Sequence, residues 1–283
     1  LIADIHFHPE MALAAIEAGV DKIRLNPGNI VSEWRLEPVA KELVRRRIPV
    51  RVGVNSGSIA YDLQPLYRRD PVSAIVNSAH RYVEILEKHG IKDIVVSLKS
   101  SDVPVTVECY RKFAQESEYP LHVGITEAGP GIIGSARSAL GIGILLAEGL
   151  GDTIRASLAS DVVDEIVVCK EILSSLGIRK FPRIIACPTC ARVEFDLIKM
   201  TNEILSEVLS LRTPLSVAVM GCAVNGPGEA EDADVGVMAA AGKFVIFRKG
   251  KITRKDLSLE QVRTALREEI KIAEQEYCEG GSH

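Results

Sequence analysis

Through the first two-thirds of the chain, short aliphatic and β-branched runs alternate with longer stretches whose apolar positions recur every three or four residues. Leu1–His6, Lys22–Asn26, Pro49–Asn55, Asp93–Lys99, Leu121–Thr126 and Thr153–Leu158 read as strands. Between them lie helical patterns of roughly three turns or more, such as residues 70–89 with apolar Val72, Ile75, Val76, Ala79, Val83 and Leu86. Gly19 and Gly90 stand where glycines close helices just before the next strand. Alternation of this kind requires parallel strands joined by right-handed crossovers, so the fold class is α/β.

Polar residues mark the C-terminal tips of these strands: Asp4 and His6, Arg24 and Asn26, Arg51 and Asn55, Ser97 and Lys99, Thr126 and Glu127, Arg155 and Ser157. In a closed (β/α)8 barrel all such tips meet at one mouth, where the chemistry of that fold resides. An open doubly wound sheet uses a single switch point, and tips at its far edges have no reason to be decorated. The pattern therefore predicts a TIM-type barrel lacking its first two β/α units, roughly 80 residues at common unit lengths. Leu1-Ile-Ala-Asp-Ile-His6 also reads as a strand already under way.

Beyond Gly177 the grammar changes. Expected there are a strand at Arg183–Ala186, a helix at Val193–Leu211, a strand at Leu215–Met220 and a glycine-rich loop. A strand at Asp234–Met238 follows, then a hairpin turned by Lys249-Gly250 and a last helix from Ser258. The expected domains are a partial barrel over 1–178 and a smaller α+β domain over 179–283.

Composition narrows the classes. Apolar residues make up 47% of the 283, ample for large cores and unlike a disordered chain. The net charge of −4 gives no electrostatic reason to expect nucleic acid or an anionic membrane as main partner. No apolar run reaches the ~18–20 residues that cross a bilayer. Six cysteines are too sparse for a disulfide-stapled fold of this length. A Cys187-Pro-Thr-Cys190 pair without a secretory signal points to reduced, metal-binding thiols and a cytoplasmic location.

Cys187, Cys190 and Cys222 follow the ends of two predicted strands, so their loops can meet at one sheet end. Thiolates select zinc, copper(I) or iron–sulfur clusters. No fourth Cys or His stands nearby, which leaves an oxygen donor or an open position as the fourth ligand. That set describes a catalytic 4Fe–4S cluster better than a closed structural zinc site. Cys109 and Cys169 read as small core residues, and Cys278 as part of a frayed tail.

At the barrel mouth Arg24, Arg51, Lys99 and Arg155 outnumber Asp4 and Glu127, with Asn55 and Ser157 beside them. Each cation alone is as well explained by a neighbouring acid. Four together favour a multiply charged anion, and the count favours diphosphate over monophosphate. His6 reads as an acid, a phosphate donor or a satisfied structural histidine. Glu127 is the best-placed carboxylate for proton delivery, a role that requires desolvation.

With these residues in view, the chain resembles the bacterial 4-hydroxy-3-methylbut-2-en-1-yl diphosphate synthase family of the non-mevalonate isoprenoid pathway. The resemblance is carried by Ala3-Asp-Ile-His-Phe7, Arg24-Leu-Asn-Pro-Gly-Asn29, Arg51-Val-Gly-Val-Asn-Ser-Gly57 and Gly124-Ile-Thr-Glu-Ala-Gly129. Ala186-Cys-Pro-Thr-Cys190 and Gly221-Cys-Ala-Val-Asn-Gly-Pro-Gly-Glu229 complete it. It implies a barrel followed by a sulfite/nitrite reductase-like domain whose 4Fe–4S cluster is held by Cys187, Cys190, Cys222 and Glu229. It implies two-electron reductive ring opening and dehydration of 2-C-methyl-D-erythritol 2,4-cyclodiphosphate, with flavodoxin or ferredoxin as electron donor. It matches Arg24, Arg51, Asn55, Lys99, Arg155 and Ser157 to the diphosphate set. Asp4, His6 and Thr126 match the pocket lining, Glu127 the proton-handling glutamate and Asn225 a substrate contact. It further implies a homodimer in which one chain's cluster domain closes over its partner's barrel. Two other classes remain open on residues alone: a zinc-dependent barrel hydrolase of a phosphorylated compound, and a non-enzymatic iron–sulfur electron carrier.

Overall fold

The computed structural model describes residues 1–6, 8–25, 33–59, 61–224 and 226–280. They form two compact units, Leu1–Leu176 and Gly177–His283.

In the first unit, β1 (Ile2–Ile5), β2 (Lys22–Leu25), β3 (Val50–Asn55) and β4 (Ile94–Lys99) pair in parallel in chain order. A single bridge, Val96 to Leu121, leads on to β5 (His122–Val123), which pairs in parallel with β6 (Thr153–Ile154). Helices α1 (Pro9–Glu17), α2 (Glu33–Arg46), the short α3 (Gln64–Tyr67), α4 (Pro71–Lys88), α5 (Val103–Glu116), α6 (Gly131–Ala147) and α7 (Val162–Ser175) intervene. Their starts are set by side chains that satisfy orphan amides: Asp70 accepts from Ser73 N–H, Asp102 from Val105 and Asp161 from Val163. Gly19 and Gly90 follow α1 and α4 at positive φ, as their positions in the sequence require.

Successive strand residues face opposite ways. Val50, Val52 and Val54 of β3, with Ile94, Val96 and Leu98 of β4, are buried in the core with Ile75, Ala79 and Val83 of α4. The intervening Arg51, Gly53 and Asn55, with Ser97 and Lys99, line a cleft on the other face. Registers place Asp4, Arg24 and Arg51 side by side, and Asn55 beside Lys99.

Strands five and six are shorter than their apolar runs suggest. The β5–β6 ladder covers two residues of each strand, and Arg155 N–H to Val123 C=O is the next bond after it. Beyond that point the chain turns into loops, so Thr126, Glu127 and Ser157 lie past the strand ends. Between β4 and β5 a side chain replaces missing ladder bonds. The buried Tyr110 hydroxyl accepts from Leu98 N–H at 3.1 Å and donates to His122 C=O at 2.6 Å.

In the second unit, β7 (Arg183–Ala186), β8 (Ser216–Met220) and β9 (Val235–Ala240) run parallel, and β10 (Lys243–Arg248) and β11 (Lys251–Leu257) extend the sheet antiparallel. Helices α8 (Leu197–Leu209) and α10 (Leu259–Gly280) share one core with the sheet, and the short α9 (Gly226–Glu229) leads into Ala230 and Ala233 of a second cluster with Phe247. Helix α8 begins four residues later than its pattern suggests. Residues 190–195 are held as a loop by Val193 N–H to Cys190 C=O and Glu194 N–H to Gly221 C=O, and Asp196 then caps the helix. Cys278 lies within α10, not in a frayed tail, because the helix continues to Gly280. Among the described residues, no helix is long and apolar enough to cross a membrane.

Tyr110→Phe leaves two buried backbone groups without their partner, at a cost of about 1–3 kcal/mol. A lower urea midpoint for the first unit, with unchanged slope, is the expected result.

Candidate functional site

The inward-facing residues of β1 to β4, with residues that follow β1, β5 and β6, form a cleft of about 210 Å³. Asp4, His6, Arg24, Arg51, Asn55 and Lys99 line it from the strand side. Thr126, Arg155 and Ser157 close it from the loops. All of these were candidates from sequence. The cleft also takes in Ser97, one of the expected polar strand tips though without an assigned role, and Gly53, which the tip pattern does not mark.

The four cations are not equivalent. Arg24, 7% exposed, donates to Asp4 Oδ1 at 2.7 Å and to Gly53 C=O at 3.3 Å. This one cation has the acidic neighbour that a structural role implies. Asp4 also lies 3.4 Å from His6 Nε2. Arg51, Lys99 and Arg155 have no carboxylate at ion-pair distance among the described residues. Burial holds the Arg51 guanidinium below its ordinary pKa; Asp4 opposes that effect, while Arg24 and Arg155 add to it. Lys99 is 7% exposed and is pushed down to about 7, by burial first and then by Arg155, Arg51 and Arg24. Beneath them His122, buried on β5, is pushed down to about 2 by burial and then by Lys99, Arg51 and Arg155. Its Nδ1 meets Thr153 Oγ1 at 2.8 Å, while Nε2 is buried without a hydrogen-bond partner among the described residues.

Two glycines make room for these groups. A Cβ on Gly53 would lie 2.5 Å from Arg24 Nε, and one on Gly124 would lie 2.5 Å from Arg155 C=O and 3.3 Å from Lys99 Nζ. Glycine inside a strand pattern marks close approach by another group, and that was the signal available in Gly53.

Glu127 is placed differently from its expectation. It is exposed, lies four residues beyond the end of β5 and is absent from the cleft lining, although its neighbour Thr126 is part of it. Its backbone is held at φ 53°, a conformation that costs a non-glycine residue about 1–3 kcal/mol and is concentrated at functional sites.

In the second unit Cys187 and Cys222 follow the C-terminal ends of neighbouring parallel strands, β7 and β8. Their loops are stitched together. Gly221 N–H donates to Cys187 Sγ at 3.1 Å, and Glu194 N–H to Gly221 C=O at 3.1 Å. A Cβ on Gly221 would strike Val193 Cγ2 at 2.3 Å, so this residue's lack of a side chain permits the approach. Cys190 is exposed, Cys187 half-buried and Cys222 buried, and none of the three is in a disulfide. Three thiol donors on adjoining loops, one open to solvent, suit a partly open thiolate-ligated metal group. Among the described residues no three metal-ligating side chains are already clustered around a common point. Asn225 lies outside the described residues, as does the Glu229 side chain. The cysteines set aside as structural are so placed: Cys109 is fully buried, with burial pushing its thiol up to about 12, and Cys169 accepts from Ala156 N–H.

Residues 1–170 match the family model described as the GcpE TIM-barrel domain, and residues 183–272 the GcpE protein C-terminal domain. Curated relatives named 4-hydroxy-3-methylbut-2-en-1-yl diphosphate synthase (flavodoxin) include one from Geobacillus kaustophilus, 47% identical over 98% of this chain and 74% of its own length. Another, from Brevibacillus brevis, is 52% identical over 90% of this chain and 71% of its own. A third, from Clostridium perfringens, is 50% identical over 90% and 73%.

Gly124→Ala must displace Arg155 C=O or the Lys99 ammonium. It is expected to weaken inorganic diphosphate binding at least tenfold by calorimetry, whereas Gly57→Ala, where a Cβ meets nothing within 4 Å, leaves it unchanged.

Proposed function

The chain belongs to the GcpE family, and from that premise we propose that it is an iron–sulfur oxidoreductase. Its reaction is the two-electron reductive ring opening and dehydration of 2-C-methyl-D-erythritol 2,4-cyclodiphosphate to (E)-4-hydroxy-3-methylbut-2-enyl diphosphate. The observation that carries this reading is the cleft itself, where Arg51, Lys99 and Arg155 converge without carboxylate partners among the described residues. Guanidinium forks and an ammonium in that arrangement grip phosphate oxygens, and Asn55 and Ser157 add neutral hydrogen bonds. Asp4 holds Arg24 and lines the cleft with His6 and Thr126, a carboxylate suited to a substrate hydroxyl. The cationic wall stabilises the charge left on the diphosphate when the ring opens, and fixing the diphosphate orients the rest of the substrate.

Cys187, Cys190, Cys222 and Glu229 are the residues that would hold a 4Fe–4S cluster, and their adjoining loops and sulfur-rich donor set fit it. When bound, the cluster supplies the two reducing equivalents, received from flavodoxin or ferredoxin. Glu127, exposed here, hands a proton to the departing hydroxyl once bound substrate has desolvated it, and Asn225 contacts the substrate. The strained backbone at Glu127 supports a placed role for that side chain.

The six parallel strands in chain order support a barrel short of two units, the second unit is read as sulfite/nitrite reductase-like, and the enzyme as cytoplasmic. Only residues 176–182 separate α7 from β7, a short tether that supports a homodimer in which one chain's cysteine unit serves its partner's cleft.

Anaerobic reconstitution with iron and sulfide of a chain carrying all eight barrel units is expected to give a brown protein that turns over the cyclodiphosphate with reduced flavodoxin or dithionite, whereas the present six-strand form alone is expected to be inactive or poorly folded. Glu127→Gln should lose turnover while keeping its iron. A zinc-loaded colourless protein, or one that carries iron and leaves the cyclodiphosphate untouched, overturns the assignment. For the shared site, mixing an Arg155→Ala chain with a Cys222→Ser chain should restore part of the activity each lacks alone; no recovery after subunit exchange rules out the arrangement in trans.

A further inference from the structure

Lys99 differs from the other cations around it. At the end of β4 it is as buried as Arg24, but among the described residues it has no carboxylate at ion-pair distance as Arg24 has in Asp4, and Arg155 is open to solvent. The charged and titratable groups that face it come from every neighbouring element. Arg24 stands on β2, Arg51 on β3, Arg155 after β6, His122 on β5 and Cys169 on α7. Asp4 on β1 is the carboxylate of this group, and its Oδ1 is engaged by Arg24 at 2.7 Å, with His6 3.4 Å away. The Lys99 amine lies close over the backbone of Gly124, where a Cβ would come within 3.3 Å.

A buried ammonium beside three guanidiniums is destabilised by lost hydration and by like charge at once. Arginine keeps its proton under that pressure, and lysine gives it up. His122 offers no relief, since it too is held neutral by the same surroundings and its Nδ1 is taken by Thr153. The outcome for Lys99 is a pKa near 7, reached through burial and the arginines with Asp4 opposing.

We propose that Lys99 is an adjustable cation: it releases its proton in the anion-free cleft and takes one up as a multiply charged anion binds. This deepens the functional reading above and rests on the cleft being the diphosphate site. Ring opening breaks a carbon–oxygen bond and leaves the electron pair on the diphosphate oxygen. With two electrons and one proton consumed and one water released, the bound group passes from two negative charges to three. A Lys99 protonated during binding faces that additional charge, and its proton returns to solvent when the product leaves.

Sulfate and the cyclodiphosphate both keep two charges from pH 6 to 9, so any pH dependence of their binding belongs to the protein. Sulfate binding to the oxidised protein, followed by calorimetry, should weaken about tenfold between pH 6 and 8, as linkage requires for a group titrating near 7. Lys99→Met should bind more weakly at pH 6 and show a flat profile, Lys99→Arg should also be flat, and His6→Gln should keep the wild-type slope. Cyclodiphosphate binding at pH 8, measured without reductant in buffers of different ionisation enthalpy, should take up close to one proton per site. A flat wild-type sulfate profile, or a slope that survives in Lys99→Met, overturns the proposal. Cyclodiphosphate binding without proton uptake also overturns it, whereas a sulfate slope without any cyclodiphosphate binding supports it and sinks the substrate assignment instead.

Discussion

Positive charge gathered in a partly dry cleft, with too little carboxylate to answer it, is the constraint on which the first unit depends. Arg24 is neutralised by Asp4, while Arg51, Lys99 and Arg155 face one another across the same 210 Å³. Such a site lowers the stability of the folded chain, because like charges and lost hydration both raise its energy. It persists because the other face of the same strands is strongly apolar. Val50, Val52 and Val54 pack with α4 while Arg51, Gly53 and Asn55 point the other way. The strand period of two thus separates the residues that stabilise the unit from those that line the cleft.

That separation explains what could be read from the sequence. β1 to β4 lie within about a residue of their apolar runs, and the polar tips of those runs line the cleft as expected, apart from Asn26, which lies outside the described residues. Neither conclusion needs long-range information, since alternation assigns the face and chain order assigns the neighbour. Strands five and six escaped because their apolar runs continue after the ladder ends. Ile125 and Ala156 are buried, yet they belong to loops. Burial leaves an apolar signature whether or not a backbone is paired, so hydropathy could not show where pairing stops.

Other features depend on contacts that no local pattern encodes. Which cation is neutralised follows from the register that sets Asp4 beside Arg24, and from Gly53 leaving room for the guanidinium to cross. The Tyr110 hydroxyl joins β4 to β5 from a helix, and its spacing in the sequence is only that of a buried helical residue. Glu127 was legible as a carboxylate near the mouth, but its exposure and left-handed backbone were not. The start of α8 was misread for a similar reason. Val193 and Phe195 continue a helical period, yet they pack against the core from a loop tied to Gly221.

The two units solve the problem of placing reactive side chains by opposite means. The cleft takes most of its cations from strand residues, whose directions are fixed by the ladder and whose separation cannot relax when the anion is absent. Rigid placement of this kind keeps repulsion in the unbound state and releases it on binding, so complementary charge on the ligand is worth more than it would be to a floppy site. The cysteines instead stand on loops after β7 and β8, where Gly221 N–H to Cys187 Sγ and Glu194 N–H to Gly221 C=O fix the approach of one loop to the other. A soft multi-atom group needs donors that can adjust to its size, and loops anchored at the ends of two adjacent parallel strands provide that adjustment without losing their common location. An anion recognised by charge and a metal group recognised by thiolate geometry therefore call for different scaffolds, and in the function proposed above this chain would supply one of each.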